Sequence, residues 1–317
     1  MIILNIFLLL AGFFILIKGS EIFVDGASSI AGNLKVSTML IGLTIVTFGT
    51  SAPELAVSFK SIISGNGDIT IGNIIGSNII NNLLIIGVCA LIHSLYLKHT
   101  TIKRELPIAI LITTIFVVVM SDSVFDPVEN TFTRSDGIIL FITFMIFIYY
   151  LYSMMHLRVE DDQSKDYLPM KKAILYTFCG IIALLLGSDF VVDSAVYLAE
   201  TIGISERLIA MTIIALGTGL PELVTSITAT KKGEYDLVIG NVVGSNIFNI
   251  ALVIGLPVSI FGGIGTVNFN LIDLGILLLS VVLLFAFSVG DRKISKYEGV
   301  IFLMIFTAYY SYIILRG

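Results

Sequence analysis

Long apolar stretches separated by short polar connections dominate the chain, and this pattern predicts membrane-spanning helices. Each stretch is close to the ~20 residues that an α-helix needs to cross a hydrocarbon core of ~30 Å, whereas the strands of a membrane β-barrel would be shorter and would alternate in polarity. We therefore expect an all-α integral membrane protein with ten transmembrane helices. The ten predicted spans are Ile3 to Ala31, Val36 to Ile63, Ile69 to Ser94, Leu106 to Ser121, Gly137 to Leu157, Lys172 to Glu200, Leu208 to Thr230, Leu237 to Ser259, Leu271 to Val289 and Tyr297 to Leu315.

The composition agrees with a membrane protein. Of the 317 residues, 56% are hydrophobic and only 13% are charged, and the mean hydropathy is +1.02, which excludes a water-soluble domain of this length. The net charge of -5 is spread over the short connections and indicates no binding surface for nucleic acid. The expected partner is the lipid bilayer, and we expect a monomer that needs no cofactor.

The sequence contains two copies of one pattern. GLTIVTFGTSAPE, ending at Glu54, matches AMTIIALGTGLPE, ending at Glu222, and IGNIIGSNIINN from Ile71 matches IGNVVGSNIFNI from Ile239, with equivalent residues always 168 positions apart. The matched regions are 42–87 and 210–255. The most hydrophilic connection, 158–171, lies between the copies, so we predict a first half at 1–157, a linker at 158–171 and a second half at 172–317.

Each half contains five predicted spans, and an odd number inserts the second copy with inverted topology. Basic residues crowd one face of the membrane: Lys35, Lys98, Lys103, Arg104, Arg158, Lys165, Lys171, Lys172, Lys231, Lys232, Arg292, Lys293 and Lys296. The opposite face has Lys60, Arg134, Arg207 and Arg316. By the positive-inside rule the crowded face and the linker are cytoplasmic, so both termini are expected outside the cell.

Glu54 and Glu222 lie within apolar spans at equivalent positions of the two copies. A charged residue at the centre of a spanning helix costs at least ~2.5 kcal/mol on insertion scales, so such residues face a partner or a water-filled cavity. A lone glutamate could simply be protonated or hydrogen-bonded to a neighbouring helix. Two of them in one duplicated motif favour a functional site.

The residues around each glutamate offer oxygen atoms to a hard cation. Pro53 and Pro221 lack an N–H, so the carbonyls one turn earlier, near Gly49 and Gly217, lose their helical partner. Hydroxyls of Thr50, Ser51 and Thr218 stand beside them. Carboxylate, hydroxyl and carbonyl oxygens suit Ca²⁺ and Na⁺ better than softer metals.

The second motif, G-N-x-x-G-S-N-x-x-N, places Ser77 and Asn81 one turn apart on one helix face, and Ser245 and Asn249 likewise on its copy. Small residues at this spacing also serve helix packing in membranes. Together with the glutamate motif, the polar face is predicted to point into the same cavity.

These motifs resemble the two repeats of the cation/calcium exchanger superfamily, specifically its prokaryotic sodium/calcium exchangers. The resemblance implies Na⁺ and Ca²⁺ as transported ions, with the first and sixth spans sliding across the other eight. It implies a central Ca²⁺ site of Glu54, Glu222, Thr50 and Thr218. It also implies flanking Na⁺ ligands and central polar groups at Ser51, Ser77, Ser245, Asn81, Asn249 and the carbonyls of Thr47 and Ala215.

The sequence departs from the family pattern at two positions. Gly219 stands where the first copy has Ser51, so one Na⁺ position is expected to be weaker or to be completed by water. Asn249 is neutral where potassium-dependent relatives carry Asp, so the resemblance implies no potassium requirement.

A second pair of matched acids, Glu21 and Asp25 with Asp189 and Asp193, lies on the first and sixth spans. These carboxylates would either attract cations into the two vestibules or simply reach the membrane interface.

The favoured interpretation is a secondary active antiporter that exchanges Na⁺ for Ca²⁺ by alternating access, since one Ca²⁺ or several Na⁺ would neutralise the two carboxylates. A Ca²⁺/H⁺ antiporter of the same superfamily is the nearest alternative. A passive cation channel and an intramembrane enzyme with an acid/base pair remain open, although no nucleophile or metal-ligand cluster accompanies the glutamates.

Overall fold

The computed structural model describes residues 2–65, 67–125, 131–156, 166–204, 215–266 and 270–316, which are mostly helical. The helices are α1 (Ile2–Leu34), α2 (Thr38–Thr50), α3 (Ala52–Ile63), α4 (Gly67–Ile79, Ile80–Ile85 and Ile86–Ile92 in succession), α5 (His99–Lys103), α6 (Glu105–Val119), α7 (Asp122–Phe125), α8 (Arg134–Met155), α9 (Met170–Thr201), α10 (Ala215–Thr218), α11 (Leu220–Lys231), α12 (Tyr235–Phe248, Asn249–Ile254 and Gly255–Phe261 in succession), α13 (Leu271–Val289) and α14 (Lys296–Arg316). The strands are β1 (Leu95–Tyr96), β2 (Thr131–Phe132), β3 (Gly265–Thr266) and β4 (Lys293–Ile294).

The described helices account for most of the predicted spans. Seven of them, α1, α4, α8, α9, α12, α13 and α14, are long and apolar enough to cross a membrane, and the bent pair α2 and α3 makes an eighth. The span predicted at Leu106 to Ser121 corresponds to α6, which has only 15 residues. The span predicted at Leu208 to Thr230 begins outside the described residues and continues as α10 and α11. Most of the predicted linker, 158–171, also lies outside them.

Two short antiparallel ribbons, which the hydropathy pattern did not predict, join the two halves of the chain. β1 pairs with β4 and aligns Leu95 with Ile294, and β2 pairs with β3 and aligns Phe132 with Gly265. Each ribbon therefore links a connection of the first half to one of the second half. With two residues per strand, their sequence signal is too short to separate from the neighbouring loops.

The central helices α4 and α12 are the most enclosed. The share of buried residues in their apolar windows is 78% for α4 and 94% for α12, compared with 17% to 39% for the other single-helix spans. Both helices carry the Gly-Ser-Asn motif. Glycine permits the close packing around them: a Cβ on Gly42 of α2 would lie 2.9 Å from the Cα of Gly240 on α12. The motif residues therefore lie at the centre of the molecule.

α1 and α9, the long helices that begin the two halves, pack against each other. A Cβ on Gly180 of α9 would lie 2.6 Å from the Cβ of Phe23 on α1, so glycine lets the two backbones approach closely. Their outer faces expose large apolar side chains, among them Ile3 and Phe7 of α1 and Phe178 of α9, as expected for a surface in contact with lipid.

Candidate cation site

Two broken helices position the glutamates. The axis bends by 51° between α2 and α3, where Ser51 leaves helical geometry at φ -86° and ψ 10°, and Gly219 precedes α11 with nearly the same backbone at φ -85° and ψ 2°. Pro53 and Pro221 follow within the first turn, where proline is tolerated because no helical N–H partner is needed there.

Glu54 and Glu222 also lie in the first turns of α3 and α11, and only 1% and 2% of their surfaces are exposed. The helix N-termini stabilise negative charge at this position. The two carboxyl groups are close enough to interact electrostatically. The structure therefore brings together the two residues on which the sequence prediction depends.

Ser51 of the first half reaches across to the second half. Its Oγ lies 3.3 Å from Glu222 Oε1 and 3.1 Å from Ser245 Oγ. Thr50 also faces the Glu222 carboxyl, and its Oγ1 lies 3.2 Å from Asn241 Oδ1. Residues that are 171 and 194 positions apart in sequence thus share one buried cluster.

Ser77 of α4 faces the other carboxyl, that of Glu54. The Ser77 hydroxyl makes no hydrogen bond of standard geometry in the described structure. Ser245, the residue equivalent to Ser77, meets Ser51. The residue equivalent to Ser51 is Gly219, which has no side-chain oxygen. The two ends of the cluster therefore differ in how many oxygen atoms they supply.

Four buried oxygens at the candidate positions have no hydrogen-bond partner among the described residues. They are Glu54 Oε2, Glu222 Oε2, Ser77 Oγ and Asn249 Oδ1. Leaving a buried polar atom without a partner costs ~1–3 kcal/mol, and more when the group is charged. In the described part of the chain no Lys, Arg or His forms an ion pair with either glutamate. Carboxylate, hydroxyl and amide oxygens are ligands that hard cations prefer, so these residues fit the predicted ligand chemistry.

The backbone around the predicted carbonyl ligands is partly hydrogen-bonded. The Thr47 carbonyl accepts the N–H of Ser51 at 2.9 Å, and the Gly217 carbonyl, freed by Pro221, accepts the Ser188 hydroxyl of α9 at 3.0 Å. These carbonyls could offer only their second lone pair. Ala215 and Thr218 are the first and last residues of α10, directly before Gly219.

A lattice of asparagine amides surrounds Asn81 and Asn249. Asn81 Nδ2 donates to Asn246 Oδ1 at 3.1 Å, and Asn249 Nδ2 donates to Asn78 Oδ1 at 3.0 Å. These two bonds occupy equivalent positions in the repeat and cross between α4 and α12. Sequence reasoning missed Asn78, Asn246, Asn241 and Asn82, although all four stand inside the duplicated motif.

π-helical turns occur at these asparagines. Asn81 and Asn82 belong to the π-helical segment Ile80–Ile85 of α4, and Asn249 begins the segment Asn249–Ile254 of α12. Such turns inside α-helices are frequent at functional sites, because the wider turn rotates the following side chains. Asn81, Asn82 and Asn249 therefore lie at the wider turns of the two central helices.

The outer acidic residues lie away from this cluster. Asp25 of α1 pairs with Lys232, which follows α11, at 2.6 Å, and Glu21 pairs with Lys18 at 2.7 Å. On α9, Asp189 and Asp193 interact with each other electrostatically.

Comparison with known proteins finds similarity along nearly the whole chain. The family described as "Sodium/calcium exchanger protein" matches residues 4–153 and 172–315. A protein of Alkalimonas amylolytica named as a candidate antiporter, CaxA, is 38% identical over 98% of both chains, and the sodium/calcium exchanger MaX1 of Methanosarcina acetivorans is 31% identical over 98% of both. A solved structure of the sodium-calcium exchanger NCX_Mj superposes with a TM-score of 0.85 at 30% identity and covers 98% of this chain and 99% of that one.

Proposed function

The chain belongs to the sodium/calcium exchanger family, and from this premise we propose that it exchanges Na⁺ for Ca²⁺ across the cell membrane by alternating access. The membership confirms the resemblance seen in the sequence motifs. The family comprises multi-pass membrane transporters that exchange cations for Ca²⁺ and is not an enzyme family. The coupling ion and the ligand set are the parts that we propose.

One observation carries the proposal: two buried carboxylates, one from each half, share a cluster of oxygen atoms without a neutralising basic residue in the described structure. Glu54 and Glu222 together provide two negative charges when ionised. One Ca²⁺ or several Na⁺ balance that charge. If the protein changes between its inward-open and outward-open states only when the charge of the site is neutralised, it exchanges Ca²⁺ for Na⁺. An empty, charged site would resist the movement because the desolvated charges are costly.

We assign the ligands as the resemblance to the family implies them. Glu54, Glu222, Thr50 and Thr218 hold Ca²⁺, and Ser51, Ser77, Ser245, Asn81, Asn249 and the carbonyls of Thr47 and Ala215 complete the Na⁺ positions and the centre. The buried oxygens without partners at Glu54, Glu222, Ser77 and Asn249 support this assignment.

The proposed topology is ten spans in two inverted halves, 1–157 and 172–317, joined by a cytoplasmic linker at 158–171. Both termini lie outside the cell, and the protein acts as a monomer in the plasma membrane. The bent pair α2 and α3 and its counterpart in α10 and α11 support the duplication, because each pair breaks at equivalent positions, Ser51 and Gly219.

The test is Ca²⁺ uptake into proteoliposomes with Na⁺, K⁺ and H⁺ gradients imposed separately. We expect an outward Na⁺ gradient to drive uptake, and K⁺ and H⁺ gradients to have no effect. Uptake driven by a pH gradient without Na⁺ would establish the Ca²⁺/H⁺ antiporter instead. Ca²⁺ flux that needs no counter-ion would indicate a channel.

A further inference from the structure

A chain of four buried hydrogen bonds leads from α13 to the candidate site. Ser280 Oγ donates to the Leu277 carbonyl at 2.7 Å and accepts from Asn82 Nδ2 at 2.9 Å. Asn82 Oδ1 accepts from Asn246 Nδ2 at 2.6 Å, and Asn246 Oδ1 accepts from Asn81 Nδ2 at 3.1 Å. Ser280, Asn82, Asn246 and Asn81 are each no more than 3% exposed, so water does not compete for these bonds.

This chain has a fixed direction. The Ser280 hydroxyl uses its single hydrogen on a backbone carbonyl and therefore accepts from Asn82. Each following amide then turns its oxygen toward the next amide's NH₂ group. At the end, Asn81 donates through Nδ2, so its oxygen is the atom left for the site.

This chain of bonds is not repeated at the equivalent positions of the duplication. There, Asn249 donates to Asn78, and the Asn78 amide donates directly to the backbone carbonyl of Asn246 at 3.1 Å. The duplication would predict a matching bond from Asn246 Nδ2 to the backbone carbonyl of Asn78. Asn246 Nδ2 instead donates to Asn82 Oδ1. The residue equivalent to Asn82 is Ile250, which has no polar atom to offer.

We infer that Asn82 and Ser280 are positioning residues that lock the Asn246 amide, and through it the Asn81 amide, with the Asn81 oxygen directed to the transported cation. If Asn246 turned over, its NH₂ would face the NH₂ of Asn81, and Asn81 would also have to turn. It would then present NH₂, the positive end of its dipole, to the cation. This inference rests on the proposed cation site, which it deepens.

The test compares Ser280→Ala and Asn82→Ile with Ser288→Ala in the full-length protein. Ser288 is a matched control because it lies on the same helix, is fully buried and donates to the Leu284 carbonyl, but takes no part in the amide chain. The primary measurement is the Ca²⁺ concentration that gives half-maximal thermal stabilisation of the purified protein in detergent. Na⁺-driven uptake is measured in parallel.

We expect Ser280→Ala and Asn82→Ile to raise that Ca²⁺ concentration about tenfold, the range found for residues that orient metal ligands. Ser288→Ala should lower the ion-free melting temperature as Ser280→Ala does but leave the Ca²⁺ midpoint unchanged. Ser280→Thr, which keeps the hydroxyl, should return the midpoint toward the wild-type value.

Equal Ca²⁺ midpoints for Ser280→Ala and Ser288→Ala would overturn the inference. If the wild type binds Ca²⁺ but shows no Na⁺-driven uptake, the proposed Na⁺ coupling is wrong. The Ca²⁺ midpoints then still decide whether Asn82 and Ser280 are positioning residues. If Ca²⁺ does not stabilise the wild type, both proposals are contradicted.

Discussion

At the scale of single residues, Ser51 and Gly219 occupy equivalent positions with different surroundings. The Ser51 hydroxyl reaches Glu222 and Ser245, whereas Gly219 supplies nothing to Glu54 and Ser77. There is room for a side chain, because a Cβ on Gly219 would be 3.4 Å from Ile80 Cγ2, an ordinary contact, and φ is -85°. The site is therefore asymmetric through one missing hydroxyl.

Gly219→Ser should strengthen Na⁺ binding. A hydroxyl at position 219 gives Na⁺ one further oxygen ligand. With a contribution of about 0.5–1.5 kcal/mol, the usual net value of one polar contact, the Na⁺ concentration at half-maximal exchange falls roughly 2- to 13-fold. The measurement is the Na⁺ dependence of Ca²⁺ efflux from loaded proteoliposomes. Ser51→Ala is the converse control and should shift the Na⁺ dependence the other way. Identical curves for the three proteins would show that neither position contributes to Na⁺ binding.

Glu54→Gln and Glu222→Gln should each reduce exchange by at least ~100-fold, because even residues that only orient a metal ligand contribute 10- to 100-fold. Neither variant should be less stable without ions, since glutamine removes a buried charge that has no basic partner in the described structure. Glu105→Gln is the matched control: Glu105 is equally buried but is hydrogen-bonded by Tyr150 on another pair of helices, so exchange should persist. Full activity of either site variant would refute the assigned roles.

At the scale of helices, the hydropathy pattern predicted most spans well, because a helix that crosses the membrane can be recognised from the length of its apolar stretch. The predicted Leu271 to Val289 coincides with α13, and the breaks before α3 and α11 lie beside Pro53 and Pro221, where the sequence predicted carbonyls without a helical partner. Apolar length does not reveal the π-helical turns, since these depend on how α4 and α12 pack against their neighbours. The amide lattice escaped prediction for the same reason: its bonds join residues 164 to 171 positions apart.

Contacts between α1 and α11 differ from those of their equivalents. α1 packs against α11, and Ser20 Oγ lies 2.6 Å from Thr228 Oγ1 in addition to the Asp25 to Lys232 ion pair. The equivalent helices α9 and α3 barely touch, and the residue equivalent to Lys232 is Ser64. Among the described residues, the contacts between α1 and α11 thus have no counterpart between α9 and α3.

Lys232→Ala should therefore ease opening at this face. The reporter is Ser28→Cys, because Ser28 lies beside Lys232 and Asp25. Exposed ion pairs contribute ~0.2–1 kcal/mol, so we expect this cysteine to react with a water-soluble thiol reagent up to about fivefold faster when Lys232 is replaced. The exposed Cys179 is first replaced by serine. Lys231→Ala is the control, because Lys231 makes no ion pair or hydrogen bond in the described structure. An equal effect of both variants would exclude a specific role for the pair.

At the scale of the whole molecule, the duplication predicts inverted halves. Lys60 and Lys231 lie in the last turns of the equivalent helices α3 and α11, and both are exposed. We expect Lys60→Cys to react with an impermeant thiol reagent from outside the cell, and Lys231→Cys to react only from the cytoplasm, with Cys179 replaced in both. Reaction of both cysteines from the same side would contradict the inverted topology.

The central claim is that Glu54 and Glu222 bind one divalent cation together and that Na⁺ competes for the same oxygens. The most direct measurement is anomalous diffraction from crystals of the protein soaked in Sr²⁺, with Na⁺ absent or in excess. The account predicts one strong Sr²⁺ peak in contact with both carboxylates, and its disappearance in excess Na⁺. A peak that touches only one glutamate, or a peak that excess Na⁺ leaves in place, would contradict it.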